Sequence, residues 1–302
     1  MECLKLLGPL EMNKYISLIN GKFSNSVSVL DRGLSYGDGL FETMSYCYAE
    51  KKLAVEFWER HLERLRQSCL ITKIKFPSNK LLLSYKKKIL HESLIRGMQS
   101  GVLKIIITRG VGGRGYKYDK SIKPTIIFLS FPRNQIKKKL YENGVEVRFC
   151  KSSIFSNSSL AGLKHLNRMD SVLARAEWDK ENYFEGVMVD DSQNIIDGTM
   201  TNIFFSKDNI LYTPCVKKSG INGIMRQVII DKSKLFFDKI CEVEIKKESF
   251  IKFDEMFITN SVIKILPVKA LRSKKFKISD STKRLIELFL SHENKIQHLE
   301  LS

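Results

Sequence analysis

The pattern of apolar and polar positions divides the chain into short elements of two kinds. Alternating or β-branched apolar runs predict strands at residues 15–19, 26–30, 40–48, 102–108, 125–131, 145–150, 186–190, 194–197, 202–206, 210–213, 241–246 and 255–259. Apolar residues at helical spacing predict helices at residues 58–70, 81–97, 168–179, 224–237 and 281–291. Strands and helices interleave without a regular strand–helix–strand repeat, so the pattern predicts an α+β fold.

A polar, lysine-rich segment at residues 132–144 divides the chain into two parts. If this segment is an interdomain linker, the sequence predicts a smaller α+β domain at residues 12–131 and a larger α+β domain at residues 145–302. Residues 1–11 carry no periodic pattern and precede a second methionine, so we expect them to be an N-terminal extension. The four short strands between residues 186 and 213 are separated by turn residues and are expected to form a meander.

Composition indicates a globular protein. The chain has 302 residues, 43% of them hydrophobic, and a mean hydropathy of −0.17. No run approaches the ~18–20 apolar residues of a membrane-spanning helix, and the first residues lack the pattern of a signal peptide. The six cysteines have no close pairs and the five histidines no metal-ligand spacing. We therefore expect reduced thiols, no metal site and a cytoplasmic location.

The formal net charge of +18 raises the question of a polyanionic partner. The lysines are spread through the patterned elements, and no basic tail or aromatic-rich basic stretch collects them. A solvated lysine-rich surface is the simplest interpretation, while attraction of an anionic substrate and weak polyanion binding stay open. We expect no nucleic-acid partner and no membrane partner.

Lys164 is the first candidate for chemistry, because it follows a short flexible loop and is flanked by Leu160, Leu163 and Leu166. Most lysines of a lysine-rich chain are surface residues. A lysine in apolar surroundings, however, has a lowered pKa and can act as a nucleophile or a base. Such an amine is what pyridoxal phosphate requires to form its Schiff base.

The same cofactor needs a carboxylate at its pyridine nitrogen and cationic and N–H groups at its phosphate. Asp197 enters a strand at a turn, where an ordinary turn aspartate is the alternative. The Gly-punctuated segment 220–226 leads into a helix whose first N–H groups suit a phosphate, although a plain loop-to-helix junction looks the same. Arg64 lies beside the buried face of the helix at 58–70, where a surface arginine is the simpler interpretation.

Six segments carry a resemblance to one enzyme family in its order and at its spacing. They are DRGLSYGDGLFET at residues 31–43, HLERL at 61–65, LAGLKHLNR at 160–168, DGTMTN at 197–202, GIMR at 223–226, and TNS at 259–261 continuing to PV at 267–268. Over residues 16–268 the chain resembles the fold type IV pyridoxal-phosphate enzymes, the group of branched-chain and D-amino-acid aminotransferases and aminodeoxychorismate lyases. The resemblance implies a two-domain α+β fold with the cofactor lysine in the larger domain. It also implies a homodimer in which a loop of the partner subunit closes each site.

Two stretches discriminate within this group. TRGVGGRGY at residues 108–116 is similar to the Gly-rich active-site loop of the lyases, and KHLNR at 164–168 is similar to their lysine segment. Branched-chain aminotransferases have a glycine-bearing sequence after the lysine. The resemblance therefore implies a lyase that converts 4-amino-4-deoxychorismate to 4-aminobenzoate and pyruvate in folate biosynthesis. An aminotransferase for D-amino acids or branched-chain amino acids, of the same fold, is the alternative.

The resemblance also implies which residues hold the cofactor. Lys164 is expected to form the Schiff base with pyridoxal phosphate and to act as the catalytic base. Arg64 is expected to bind the phosphate, together with the N–H groups of Ile224 and Met225 and the hydroxyl group of Ser261.

Three further residues complete the expected site. Asp197 stands where the family normally has a glutamate at the pyridine nitrogen, and it keeps the charge on a side chain one methylene shorter. In the Gly-rich loop, Arg114 is expected to bind a substrate carboxylate through its guanidinium fork. Tyr116 is expected to pack on or hydrogen-bond to the substrate ring, and for both loop residues a solvent-facing Gly-rich turn is the alternative.

Overall fold

The structure is a computed structural model that describes residues 15–49, 52–134, 136–179 and 182–295. The chain divides into two compact units. The first contains the described residues up to Asn134 together with the segment Lys164–Asn167, and the second contains residues 136–163 and Arg168–Lys295. The predicted extension at 1–11 lies outside the described residues.

The first unit is an antiparallel sheet with two long helices. Its strands are β1 (Ile16–Ile19), β2 (Lys22–Phe23), β3 (Gly39–Ala49), β4 (Lys52–Val55), β5 (Ser100–Thr108) and β6 (Thr125–Pro132), in the sheet order β2-β1-β6-β5-β3-β4. Its helices are α1 (Arg32–Tyr36), α2 (Trp58–Thr72) and α3 (Asn79–Ile95). Helix α2 packs on β3, and α3 packs on β1 and β6.

Strand β3 determines which side chains meet helix α2. It pairs with β5 from Gly39 opposite Thr108 to Cys47 opposite Ser100. Successive side chains of a strand point to opposite faces of the sheet. The fully buried residues Leu40, Glu42, Met44 and Tyr46 therefore share one face. Placing a carboxylate among these apolar residues requires partners for it on the helix side.

The second unit contains a larger mixed sheet. Its strands are β7 (Val145–Phe149), β8 (Glu185–Val189), β9 (Asn194–Gly198), β10 (Asn202–Lys207), β11 (Ile210–Pro214), β12 (Lys239–Val243), β13 (Ile245–Lys246), β14 (Glu255–Asn260), β15 (Lys264–Leu271) and β16 (Lys274–Lys275). The sheet order is β12-β11-β10-β14-β15-β7-β8-β9-β13, with β16 paired to β15. Its helices are α4 (Lys138–Asn143), α5 (Met169–Arg175), α6 (Ile224–Ser233) and α7 (Asp280–Lys295), with a 3-10 helix at Lys247–Lys252.

Apolar side chains cover both faces of the central strands of this sheet. Residues Asn202 to Ser206 of β10 are all buried, as expected for a strand covered on both sides. The rings of Phe204 and Phe257 stack with their centroids 4.9 Å apart, which joins β10 to β14. None of the described helices has the length and apolar character needed to cross a membrane.

Three predicted features differ from the structure. Residues 26–30 form no strand; they are an irregular segment in which the Ser28 hydroxyl accepts a hydrogen bond from the N–H of Leu30. The predicted meander is interrupted, because β14, β15, β7 and β8 lie between β10 and β9 in the sheet. Part of the predicted linker forms α4, which packs on β15.

The segment Lys164–Asn167 also departs from the predicted division, which assigned the whole of 145–302 to the larger domain. In the structure this segment belongs to the first unit. The N–H of Phe41 donates to the carbonyl of Lys164 at 2.9 Å, and the N–H of Leu166 donates to the carbonyl of Gly39 at 3.0 Å. Strand β4 pairs only with the far end of β3, from Tyr46 onward, so the segment occupies an edge that β4 leaves open.

Candidate functional site

Lys164 is fixed on the edge of β3 in the first unit. The Lys164 carbonyl accepts a hydrogen bond from the N–H of Phe41, and the next residue, His165, forms an antiparallel bridge with Leu40. The side chain is half-buried, and its Nζ lies 4.4 Å from the centroid of the Phe41 ring. An ammonium over an aromatic face is attracted by the ring quadrupole. The backbone and the ring together restrict where the amine can be.

Arg64 is bound to the buried carboxylate of Glu42 in the same unit. Its Nε donates to Glu42 Oε1 at 2.8 Å and a terminal nitrogen donates to Oε2 at 2.5 Å. His61 Nδ1 also donates to Oε2, at 2.6 Å. Burial raises the pKa of Glu42, but the Arg64 guanidinium and His61 outweigh burial and lower it to about 2. The carboxylate therefore stays ionised and holds the guanidinium in place.

His61 is neutral in this cluster. Burial lowers the pKa of His61 despite the opposing effect of Glu42, and the positive charges of Arg64 and Lys164 lower it further. A neutral imidazole that donates from Nδ1 to a carboxylate has an acceptor at Nε2. The cluster thus combines one fixed anion, one fixed cation and one neutral ring in the unit that carries the lysine.

The spacing along α2 explains why His61 and Arg64 meet Glu42. Trp58, Leu62, Leu65 and Cys69 are buried apolar residues of this helix, and residues one turn apart share a face. His61 precedes Leu62 and Arg64 precedes Leu65, so both lie at the margin of that face. Sequence reasoning missed Glu42 and His61; the available signal was a carboxylate inside an apolar strand.

Asp197 is buried on β9 of the second unit, where both of its carboxylate oxygens accept hydrogen bonds. The side-chain amide of Asn202 donates to Oδ1 at 2.7 Å, and the N–H of Ile221 donates to Oδ2 at 2.7 Å. Burial raises the pKa of Asp197 to about 7, although these two donors and the charges of Arg226 and Arg168 lower it. A proton therefore exchanges on this carboxyl group near neutral pH.

Two glycines allow the segment before α6 to approach Asp197 and Asn202 closely. A Cβ on Gly220, whose φ is +84°, would lie 2.8 Å from Asp197 Oδ2. A Cβ on Gly223 would overlap Asn202 Oδ1. The Asn202 amide also donates to the carbonyl of Ile221 at 2.8 Å. Asn202 thus links the carboxylate to the segment that starts the helix, a role that sequence reasoning missed.

Ile224 and Met225 form the start of α6, and Gly223 provides no side-chain cap. The first N–H groups of a helix have no acceptor within the helix, and the helix dipole makes this end attractive to anions. Arg226, 2% exposed, donates to Glu242 at 2.5 Å and to the carbonyl of Pro214 at 3.0 Å. The helix start is therefore fixed and can bind a phosphate.

Ser261 lies in the tight turn between β14 and β15. The side-chain oxygen of Asn260 accepts from the N–H groups of Val262 and Ile263 at 2.8 and 2.9 Å. The Lys264 amine donates to the carbonyl of Ser261 at 2.7 Å. The turn conformation is therefore set by its own side chains, and Ser261 is half-buried in it.

Glu185, at the start of β8, is a buried carboxylate that sequence reasoning missed. It accepts from the hydroxyl groups of Thr199 and Thr201 at 2.6 and 3.0 Å. It also accepts from the N–H groups of Gly186, Thr199 and Met200 at 2.8, 3.1 and 3.1 Å. These five donors hold the turn between β9 and β10, the strands that carry Asp197 and Asn202. The signal was again an acidic residue at a buried strand position.

Arg114 and Tyr116 lie in the first unit, in the loop between β5 and β6. Both are exposed, and Tyr116 is 86% exposed. The Tyr116 ring contacts that of Tyr36 with a centroid distance of 5.7 Å. The predicted site residues of the first unit are Lys164, Arg64, Arg114 and Tyr116, and those of the second unit are Asp197, Ile224, Met225 and Ser261.

Comparison with known proteins identifies the family. The family model for amino-transferase class IV matches residues 39–271, and the chain belongs to this family. Aminodeoxychorismate lyase of Vibrio harveyi is 31% identical over 263 residues, which are 86% of this chain and 93% of that protein. A putative branched-chain-amino-acid aminotransferase of Methanocaldococcus jannaschii is 30% identical over 285 residues, 90% of this chain and 94% of that protein.

A solved structure shows the same relationship. The crystal structure of 4-amino-4-deoxychorismate lyase from Pseudomonas aeruginosa superposes with a TM-score of 0.83 and 31% identity, covering 91% of this chain and 98% of that chain. The predicted family and the α+β fold type IV architecture are thereby confirmed. Enzymes of this family use pyridoxal phosphate.

The residues of the two units have the chemistry that this cofactor needs. The first unit supplies the half-buried amine of Lys164 and the guanidinium of Arg64. The second supplies the uncapped start of α6 and the carboxyl group of Asp197. A carboxylate has about four lone-pair sites, so two hydrogen bonds leave Asp197 with acceptor capacity. No group of three or more His, Cys, Asp or Glu side chains in the described ranges is arranged to hold a metal ion.

Proposed function

We propose that this protein is a pyridoxal-phosphate-dependent lyase that converts 4-amino-4-deoxychorismate to 4-aminobenzoate and pyruvate. The observation that carries the proposal is the similarity to two lyases, those of Vibrio harveyi and Pseudomonas aeruginosa, each 31% identical over most of both chains. The segments TRGVGGRGY and KHLNR support it, because they hold the loop and lysine residues expected of a lyase.

Six residues would hold pyridoxal phosphate in this proposal. The amine of Lys164 would bind its aldehyde carbon, and Arg64 would bind its phosphate together with the N–H groups of Ile224 and Met225 and the hydroxyl group of Ser261. Once bound, pyridoxal phosphate supplies an electron sink for negative charge that develops on the substrate beside its nitrogen. Glu42 contributes by keeping the Arg64 guanidinium oriented before any anion arrives.

Asp197 holds a proton at the pyridine nitrogen. Its carboxylate would accept a hydrogen bond from the protonated ring nitrogen, and its negative charge would favour that protonated form. The contacts with Asn202 and Ile221 fix the direction of the carboxylate.

Lys164 moves the proton in the reaction. Once the substrate's 4-amino group has displaced it from the cofactor, its amine would remove the proton from C4 of the substrate, and the bond between C3 and the enolpyruvyl oxygen would break. The same amine returns the proton to the methylene carbon of the departing enol, which becomes pyruvate, so atoms and electrons balance without a second substrate. The ring becomes aromatic, which makes the elimination favourable. Arg114 binds a substrate carboxylate through its guanidinium fork, and Tyr116 packs on the ring.

Borohydride reduction followed by peptide mapping tests the cofactor assignment. The pyridoxyl group should be found on Lys164, and Lys164→Ala should lose the visible absorbance of the bound cofactor. Lys104 is a matched control, because its Nζ lies 4.9 Å from the same Phe41 ring and burial lowers its pKa. Lys104→Ala should keep the absorbance, and a label on Lys104 would contradict the assignment.

An assay with 4-amino-4-deoxychorismate alone tests the reaction. Equal amounts of 4-aminobenzoate and pyruvate should form without any keto acid. The second candidate is an aminotransferase, favoured by the 30% identity to the archaeal relative described as a branched-chain aminotransferase. That activity requires an amino donor and a keto acid, so product formation only in the presence of both would replace the lyase proposal.

The proposal includes a homodimer, as the resemblance to fold type IV enzymes implies. Light scattering at micromolar concentration should give about twice the chain mass of 34.9 kDa. A fully active monomer would contradict this part of the proposal and leave the chemistry of Lys164 unaffected.

A further inference from the structure

Arg32 is a buried arginine whose guanidinium points at the Gly-rich loop between β5 and β6. It lies at the start of α1 and is 3% exposed. One terminal nitrogen donates to the carbonyls of Gly115 at 2.9 Å and Gly113 at 3.4 Å, and the other donates to the carbonyl of Tyr116 at 3.3 Å. The carbonyls of one residue before Arg114 and of two residues after it are therefore turned toward the Arg32 side chain.

Tyr36, at the other end of α1, completes the contact with this loop. Its ring lies 4.7 Å from the Arg32 guanidinium carbon, and its hydroxyl group accepts from the N–H of Gly115 at 2.8 Å. A Cβ on Gly112 would lie 2.8 Å from Arg32 Cδ, so the loop passes close to the arginine stem. Helix α1 thus contacts N–H and C=O groups of the loop backbone, in addition to the ring of Tyr116.

Asp38 anchors Arg32 to the rest of the unit. Its Oδ2 accepts from Arg32 Nε at 3.0 Å and from Arg109 Nε at 2.7 Å, and its Oδ1 accepts from a second Arg109 nitrogen at 2.9 Å. Arg109 also donates to the carbonyls of Thr72 and Lys73 at the end of α2. Arg109, the first residue of the loop, therefore links the loop to α2, the helix that carries Arg64.

These contacts occupy Arg32 and Arg109 fully enough to exclude them as substrate ligands. Both guanidinium groups are buried and directed at Asp38 and at backbone carbonyls. Arg114, by contrast, is exposed on the same loop. The network therefore presents one guanidinium to solvent while two others hold the backbone behind it.

We propose that Arg32 is a positioning residue that sets the backbone conformation of residues 113–116 and so directs Arg114 and Tyr116 toward the substrate. The inference rests on the proposed function, because that function gives these two residues their role. A planar guanidinium is needed, since its fork donates in three directions at fixed angles while an ammonium is a point charge on a flexible stem. Arg32→Lys keeps the charge near Asp38 and loses the contacts with the loop carbonyls.

Hydrogen exchange of the cofactor-loaded protein without substrate is the first readout. Peptides covering residues 109–120 should exchange roughly tenfold faster in Arg32→Lys. The loop carbonyls lose the hydrogen bonds that they accept from Arg32, so the loop opens more often and its amides exchange sooner. Arg66→Lys is the matched control, since Arg66 forms an exposed ion pair with Glu63 on α2. Unchanged loop exchange in Arg32→Lys, equal to that in Arg66→Lys, would overturn the proposal.

Steady-state kinetics with 4-amino-4-deoxychorismate give the second readout. The KM should rise about tenfold in Arg32→Lys with kcat within about twofold, and the cofactor absorbance should be unchanged, because the lysine and the cofactor residues are not moved. A merely structural role would lower the amount of folded enzyme and leave KM as in the wild type. Faster loop exchange with an unchanged KM would therefore also overturn the proposal.

Tyr36→Phe provides the second variant if Arg32→Lys does not fold. It removes only the acceptor of the Gly115 N–H and should give a smaller change of the same kind in both readouts. Failure of the proposed function is distinguishable, since the wild type would then produce no 4-aminobenzoate while the exchange result keeps its meaning. If the wild type uses an amino acid instead, the KM for that amino acid replaces the second readout, and an unchanged value overturns the inference.

Discussion

Two buried carboxylates, one in each unit, have opposite electrostatic surroundings. Glu42 accepts hydrogen bonds from His61 and from the guanidinium of Arg64, and its pKa is lowered to about 2. Asp197 accepts from a side-chain amide and a backbone N–H, and burial raises its pKa to about 7. Burial acts in the same direction on both groups, so the partners decide the sign of the shift.

A cation in direct contact outweighs burial, whereas neutral donors reduce its effect without reversing it. Glu42 is consequently a permanent anion, and its role is to hold Arg64. Asp197, with a pKa of about 7, can gain or lose a proton near neutral pH. The two units thus supply one fixed charge and one adjustable charge.

Removal of the charge of Glu42 should have the largest effect on stability. In Glu42→Gln the Arg64 guanidinium remains buried beside an amide, and removing one partner of a buried ion pair costs about 3–5 kcal/mol. Urea unfolding should therefore show a lower free energy of unfolding by that amount. Glu63→Gln, on the exposed side of α2 beside Arg66, is the control and should leave the midpoint unchanged. Equal midpoints for the two variants would refute the distinction.

The two carboxylates should also give opposite pH dependence in protein freed of cofactor. The pKa of Glu42 falls from 4.5 to about 2 on folding, so its contribution is present above pH 4.5 and about 3 kcal/mol is lost as the pH falls toward 2. The pKa of Asp197 rises from 3.8 to about 7. The folded protein then retains a proton that the unfolded chain loses, and stability falls by about 4 kcal/mol as the pH rises between these values.

Urea titrations of the wild type, Glu42→Gln and Asp197→Asn at several pH values measure these contributions. The difference between wild type and Glu42→Gln should grow with pH in the acid range, and the difference for Asp197→Asn should change with the opposite sign. Slopes of the same sign for the two variants would show that the neutral donors around Asp197 act as strongly as a cation.

Asp197→Asn should lower turnover roughly 100-fold, equivalent to about 2.7 kcal/mol in the barrier, while the cofactor stays bound. A neutral amide cannot hold the proton on the ring nitrogen, so the electron sink weakens. Single-turnover rates with 4-amino-4-deoxychorismate give the measurement. Asp190→Asn is a matched control, since Asp190 is a buried aspartate that also accepts from a backbone N–H and an asparagine amide, both of Asn194. An Asp197→Asn rate within twofold of wild type removes this residue from the mechanism.

Asp197→Glu should have the smallest effect, with turnover retained or raised. The longer side chain restores the residue that the family normally has and keeps the charge. The same single-turnover measurement should place it within about threefold of wild type. A loss as large as that of Asp197→Asn would indicate that the space beside Gly220 accepts only the shorter carboxylate. A Cβ on Gly220 would already lie 2.8 Å from Oδ2 of Asp197.

Much of the fold is predictable because it depends on local pattern. The sequence predicts β5 and β6 to within two residues, since Leu103, Ile105 and Ile107 alternate with half-buried positions. The same alternation fails at residues 26–30, where Val29 is 76% exposed and no strand in the described part of the chain pairs with it. The meander fails for a related reason: strands from elsewhere in the sequence insert between β9 and β10, and their pairing depends on tertiary structure.

The candidate site shows the same limit. Lys164 and Asp197 are identifiable by residue type and surrounding motif. The neighbouring side chains that orient the site residues and shift their pKa values are not. Glu42 reaches Arg64 across 22 positions of sequence, and Asn202 reaches Ile221 across 19. No spacing rule joins residues so far apart, so the hydrogen-bonded partners and the two pKa shifts become visible only in the folded chain.

The path of the chain at Leu163 and Lys164 bears on protein synthesis. Gly162 exchanges backbone hydrogen bonds with Gly220 and Asn222 in the second unit, whereas Lys164 begins the segment bound to β3 in the first. On the ribosome, the open edge of β3 must wait for residues made about thirty positions after Asn134. A nascent chain released before that point would expose an unpaired strand edge, the feature that promotes aggregation. The residue on which the proposed chemistry depends is thus among the last that the first unit receives.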